Sequence, residues 1–444
     1  MKTILIANAK IVSDGSTKDG DVFIKEGRIE RIGSDLAARS ADIVLDAGGK
    51  VLLPGLIDDQ VHFREPGMTH KGDIASESAA AVAGGITGYM DMPNTQPPTT
   101  TARLLEDKFT AAAGRSFANY SFYMGGANNN LEDIKAFDPL SACGIKVFMG
   151  ASTGNLLVDD PKALEGIFSH APAIVATHCE DNATIAVNTK RARERYGDDI
   201  PVAQHPEIRS EEACYKSTSL AVDLARRFNT RLHVLHLSTA REMELFSGAA
   251  LEEKRITAEV CVHHLFFDRS HYRDKGNRIK CNPAIKTAAD RRALVQAVAD
   301  NRIDIVATDH APHSLAEKQN TYFKAPAGLP LVQHALPCLL EHYHRGHFSL
   351  ELIAEKTAHA PARLFELKDR GYIREGYWAD LVLVDLQRPY VVSENDIFYR
   401  CGWSPFEGDT FRSSVEATIV SGHLAYRNGR IDPHPAGRRL SFVR

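Results

Sequence analysis

Apolar and polar positions change rhythm twice along this chain. Residues 1 to about 53 form short β-rich runs punctuated by glycine, such as TILIANAKIV, DVFIKEGRIERIG and IVLDAGGKVLL. The same texture returns near the other end in YWADLVLVDL and VEATIVSGHLAYRNGRI. Between them, apolar runs alternate with helix-period segments such as EEACYKSTSLAVDLARRF and AADRRALVQAVADN. The runs are GLIDDQVHF, TGYMDMP, NYSFYMG, CGIKVFMG, AIVATHCE, RLHVLHLS, ITAEVCVHH and IDIVATDHAPH. Eight βα units in series predict an α/β fold with a parallel sheet. Eight is also the number that closes a (β/α)8 TIM barrel, here over residues 54–366. The two ends, 1–53 and 367–444, predict one small β-sandwich domain formed from both termini. A doubly wound open sheet is the alternative, but it normally carries a Gly-rich phosphate turn, and no G-x-G-x-x-G or P-loop occurs.

The chain's 444 residues suffice for a barrel with a smaller companion domain. A formal net charge of -4 gives no basic footprint for nucleic acid and no polybasic signal for membranes. The apolar run after Met1 breaks at Asn8, too early for a signal-peptide core, and no stretch reaches the length of a membrane span. Seven cysteines, scattered and never spaced CxxC, argue for reduced thiols. The expectation is a cytoplasmic protein that binds neither nucleic acid nor membrane.

In barrels of this type the chemistry sits at the C-terminal ends of the strands, and polar residues gather there. His62 closes the first run, Asn94 follows the second and Lys146 lies in the fourth. His178 ends the fifth, His236 the sixth and Asp309 the eighth. Each alone has a bland reading, as a satisfied core histidine, a snorkelling lysine or a helix cap. Together they would converge on one barrel mouth, where such a cluster is costly to bury unless it is paired or holds a metal. Imidazole nitrogens and carboxylate oxygens suit zinc, and a catalytic zinc keeps one position open for water. A metal lowers the pKa of that water towards about 7, and a nearby carboxylate can move its proton. These parts make a hydrolase acting on a carbonyl centre. No G-x-S-x-G nucleophile elbow competes with it.

Along nearly its whole length the sequence resembles the dihydroorotases of the amidohydrolase superfamily. The superfamily marks are PGLID leading into His62, then GIKVFMG, THCED, HLST and ATDHAPH. Closer to dihydroorotase are HFREPG, AGGITGYMDMPNTQP, CNPAIK and TDHAPHSLAEK. The resemblance implies a two-zinc site, with His62 and Asp309 on the more buried metal and His178 and His236 on the other. It implies that Lys146, carboxylated by carbon dioxide, bridges both. Asp309 would protonate the departing ring nitrogen of L-dihydroorotate. In biosynthesis the same site would close N-carbamoyl-L-aspartate into that ring. The substrate's carboxylate calls for a planar guanidinium, and Arg64 is the choice, with Asn94 and His313 completing the grip. An ion pair of Arg64 with Glu65 or Glu77 is its bland alternative. By analogy with the family, Asn282 and the backbone at Ala327 and Gly328 would hold the ring amides. The polar, Gly/Pro-bearing segment 314–330 reads as a mobile mouth loop, and the resemblance implies a homodimer.

One residue departs from the family pattern. The opening motif is usually His-x-His, and Gln60 stands in the first histidine's place. A neutral amide oxygen is a poor zinc ligand. Asp58 shares the face of Gln60 and His62 but lies roughly 6 to 7 Å deeper, and Asp59 would serve only if a bulge re-aimed it. The expectation is a weakened buried metal position and one or two zinc ions per chain. Another cyclic amidase, a dihydropyrimidinase, hydantoinase or allantoinase, would share the metal residues without needing a carboxylate grip. A non-catalytic scaffold that binds a partner enzyme such as aspartate transcarbamoylase is the reading of a different class.

Overall fold

A computed structural model of the chain describes residues 2–36, 39–152 and 154–444. The eight apolar runs are eight parallel strands in sequence order. They are β1 Leu56–Val61, β2 Ile86–Asp91, β3 Asn119–Gly125, β4 Gly144–Phe148, β5 Val175–His178, β6 Leu232–Val234, β7 Ile256–Cys261 and β8 Ile305–Ala307. The ring closes between β1 and the segment after β8, through a Val61–His310 bridge and a 2.7 Å bond from His62 N to His310 O. Helices such as Ile74–Ala83 and Glu211–Phe228 return the chain between strands, each begun by a side-chain cap from Asp73 or Ser210. The predicted TIM barrel is present.

The terminal runs build one nine-stranded mixed sheet. Its first strand, Ile4–Ser13, breaks register between Ile6 and Ala9, where Asn8 takes a positive φ of 57°. On one side of the break it pairs with Ile43–Asp46, on the other with Val51–Pro54, so the bulge turns the strand between two neighbours. Strands Leu381–Asp385 and Ser414–Val420 extend the sheet from Val51–Pro54. Period-2 alternation then divides its side chains. Leu52, Leu381 and Leu383 enter the small domain's own core, while Val51, Leu53, Val382 and Val384 join the core around the barrel.

Inside the barrel, Ile57, Met90, Tyr123, Ala176, Leu235 and Ile305 form an apolar floor. Phe365, Leu440 and Phe442 join it, so the C-terminal segment seals the end opposite the strand C-termini. Polar chemistry is thereby confined to the other end. Among the described residues no helix is long and apolar enough to cross a membrane.

Candidate active site and metal centre

The C-terminal ends of the strands enclose a cavity of about 170 Å³. Gln60, His62, Arg64, Asn94, Lys146, His178, His236, Asn282, Asp309, His313, Ala327 and Gly328 all line it. The candidate metal ligands and substrate contacts named from the sequence are therefore in one place. Phe148, Ala151 and Ala311 complete the wall. His236 and Asp309 follow their strands with positive φ values of 41° and 51°, which re-aims each side chain as its strand ends.

The polar atoms fall into two groups. In the first, His62 Nδ1 donates to Asn94 Oδ1 at 2.7 Å, which leaves its Nε2 bare, 3.1 Å from Asp309 Oδ1. In the second, His178 Nε2 lies 2.9 Å from Glu180 Oε2, so its Nδ1 faces His236 Nε2 across 2.9 Å. Burial and the Lys146 ammonium hold both of these imidazoles below their ordinary pKa, in the neutral form. Lys146 Nζ, fully buried, has no hydrogen-bond partner, and desolvation pushes its pKa down to about 8. A bare imidazole nitrogen against a carboxylate and two facing imidazoles are donor types that suit a divalent metal, and the Lys146 amine beside them has no partner of its own.

Gln60 does not reproduce an imidazole. Its Nε2 donates to Asp309 Oδ1 at 3.2 Å, and its Oε1 is turned towards Cys261 Sγ, 3.8 Å away. Pairing of β1 with β2 does slip between Asp58 and Val61. Even so, Asp59 is aimed at His233 and does not line the cavity, while Asp58 bonds Thr308 Oγ1 at 2.6 Å.

The opposite wall is cationic. Arg64 is 7% exposed, and burial pushes its pKa down to about 10. Its Nε donates to Pro312 O at 3.1 Å, and its Nη2 abuts His313 Nε2 at 3.1 Å. The Lys71 ammonium reaches His313 Nδ1 at 3.1 Å, so the ring's own proton sits on Nε2 and points to Ala327 O at 3.0 Å. Nη2 thus meets an N–H and finds no acceptor there. The alternative ion pair of Arg64 does not form with either glutamate: Glu65 pairs with Arg115 and Glu77 with His310. On the same cavity's lining, Asn282 Oδ1 is buried without a partner. At Gly328, with φ 139°, a Cβ would lie 2.4 Å from Ala311 O, so only glycine lets this backbone reach the cavity.

The segment 314–330 is anchored. Lys318, 2% exposed, donates to the carbonyls of Lys280, Pro326 and Gly328 at 2.9 to 3.0 Å. Sequence reasoning passed over Lys318, Lys71 and Glu180. Only Glu180 gave a signal, at the i+2 position after His178.

The Amidohydrolase family model matches residues 51–425. A dihydroorotase from Halobacterium salinarum is 35% identical over 406 residues, 90% of this chain and 92% of that one. An allantoinase from Desulfitobacterium hafniense is 31% identical over 451 residues, 98% of each. The L-hydantoinase (dihydropyrimidinase) structure from Arthrobacter aurescens superposes with a TM-score of 0.94 at 26% identity, covering 99% of this chain and 100% of that one. Family model, relatives and fold agree: the chain belongs to the amidohydrolase family.

Proposed function

We propose that this protein is a zinc-dependent dihydroorotase, which closes N-carbamoyl-L-aspartate into L-dihydroorotate and hydrolyses the ring amide in reverse. The observation that carries this reading is Arg64, a buried guanidinium on the cavity wall with no carboxylate of its own. Leaving such a group unpaired costs several kcal/mol, of the order of 3. A ligand carboxylate repays it with paired, charge-assisted hydrogen bonds. Hydantoins, dihydrouracil and allantoin have no carboxylate to offer. The several dihydroorotases among the relatives point the same way.

His178 and His236 would hold one metal, and His62 with Asp309 the other. Lys146, as its carbamate, would bridge them. An amine with its pKa pushed down to about 8 is partly neutral near pH 7 to 8, the form that adds to carbon dioxide. Bound zinc supplies hydroxide at neutral pH and polarises a ring carbonyl. Asp309 Oδ1 accepts from Gln60 Nε2 and faces the bare Nε2 of His62, which leaves Oδ2 to carry a proton to the departing ring nitrogen. Arg64, Asn94 and His313 grip the carboxylate, and Asn282 with the backbone at Ala327 and Gly328 holds the ring amides. Gln60 weakens the position of His62 and Asp309, so the enzyme works with one firmly bound zinc.

Arg64→Met tests the reading. It is expected to lower kcat/KM for L-dihydroorotate about 100-fold, the equivalent of about 3 kcal/mol, with zinc content unchanged. An unchanged kcat/KM would remove Arg64 from the substrate site.

A further inference from the structure

Below the cavity and above the apolar floor lies a second polar cluster, with no part in the reading above. Asp59 on β1, His233 on β6 and Glu259 on β7 point to one spot inside the barrel, all three completely buried. His233 Nε2 is 3.1 Å from Asp59 Oδ2 and 3.7 Å from Glu259 Oε2. Neither contact is aligned as a hydrogen bond: both oxygens of Asp59, Oε2 of Glu259 and Nε2 of His233 are buried without partners.

The tautomer of His233 is fixed from behind. Thr257 Oγ1 gives its hydrogen to Leu232 O at 3.2 Å, so it accepts from His233 Nδ1–H at 2.8 Å. Nε2, aimed between two carboxylates, is then the ring atom left to take either a proton or a metal, the arrangement in which a second partner orients a metal-binding imidazole. Burial pulls the His233 pKa down, but Asp59 and Glu259 outweigh it and raise it to about 9, so without a metal the ring itself carries the compensating charge. A divalent cation would take the place of that proton between the two carboxylates. Tetrahedral zinc, with bonds of about 2.0 to 2.2 Å to nitrogen and oxygen, sets its ligand atoms about 3.3 Å apart. The observed separations of 3.1 and 3.7 Å bracket that value.

We propose that Asp59, His233 and Glu259 form a structural site for a divalent cation of the zinc class, buried beneath the catalytic cavity. The cation would tie β1, β6 and β7 together. Glu259 passes that constraint upward, because its Oε1 accepts from His236 N at 2.9 Å, where the backbone of a proposed zinc ligand takes its positive φ. The site stands or falls independently of the catalytic reading.

The test is anomalous diffraction at the zinc edge from crystals of the protein purified without chelator, with metal counted per chain in the same preparation. The expected result is a peak enclosed by Asp59, His233 and Glu259, separate from any peak at His178 and His236, and loss of one metal per chain in Asp59→Asn. Should that variant fail to fold, the wild-type map decides alone. Peaks only in the upper cavity, or a water or nothing at the buried position, would overturn the proposal.

Discussion

Gln60 shows how much one side chain decides. In an imidazole's place it offers Asp309 a hydrogen bond instead of offering a metal a lone pair. Gln60→His is expected to raise the zinc retained after brief chelation by about one per chain. Metal analysis of the dialysed protein checks this, and retention that does not change would mean that Gln60 is no handicap. Arg64 belongs to the same scale: its meaning lies in having no carboxylate partner, a fact invisible in the sequence beside Glu65 and Glu77.

At the scale of elements, the strand ends explain why the site was largely legible and where legibility stopped. A parallel barrel strand places its last inward residue at the mouth, so His62, Lys146, His178, His236 and Asp309 could be read from five separate runs. The pairing of Asp59 with His233 and Glu259 could not. Those residues lie 174 and 200 positions from Asp59, too far apart for any local pattern to join them. Composition gave no sign of the Lys318 contacts within segment 314–330. Its polar, Gly/Pro-bearing sequence reads as a mobile mouth loop, and the Lys318 side chain reaches inward to three carbonyls. Lys318→Met is expected to speed amide exchange across residues 315–328 at least tenfold and to raise KM, because Ala327 and Gly328 line the cavity. Hydrogen exchange that leaves this segment unchanged would contradict the tether.

Across the whole molecule, barrel and terminal sheet are joined by one buried polar knot. Arg370 pairs with Asp380, both almost fully buried, and Asp380 Oδ1 also accepts from Ser421 N at 2.7 Å and Asn119 Nδ2 at 3.0 Å. Asn119 begins β3, and its Oδ1 accepts in turn from Ser421 Oγ at 2.8 Å. Asp380→Ala would leave a buried guanidinium unpaired, at a cost of about 3 to 5 kcal/mol. The expected outcome in urea is one transition, shifted to lower denaturant, with both domains melting together. Two separated transitions would show that the knot does not couple them.

The measurement that bears most directly on the central claim is hydrolysis of three cyclic amides by one preparation with its zinc counted. L-dihydroorotate carries the carboxylate proposed to pair with Arg64, whereas dihydrouracil and allantoin lack it. Turnover of L-dihydroorotate in clear preference to the other two is the expected result. Preference for dihydrouracil or allantoin, or no turnover of any of the three with zinc and bicarbonate present, would contradict the account.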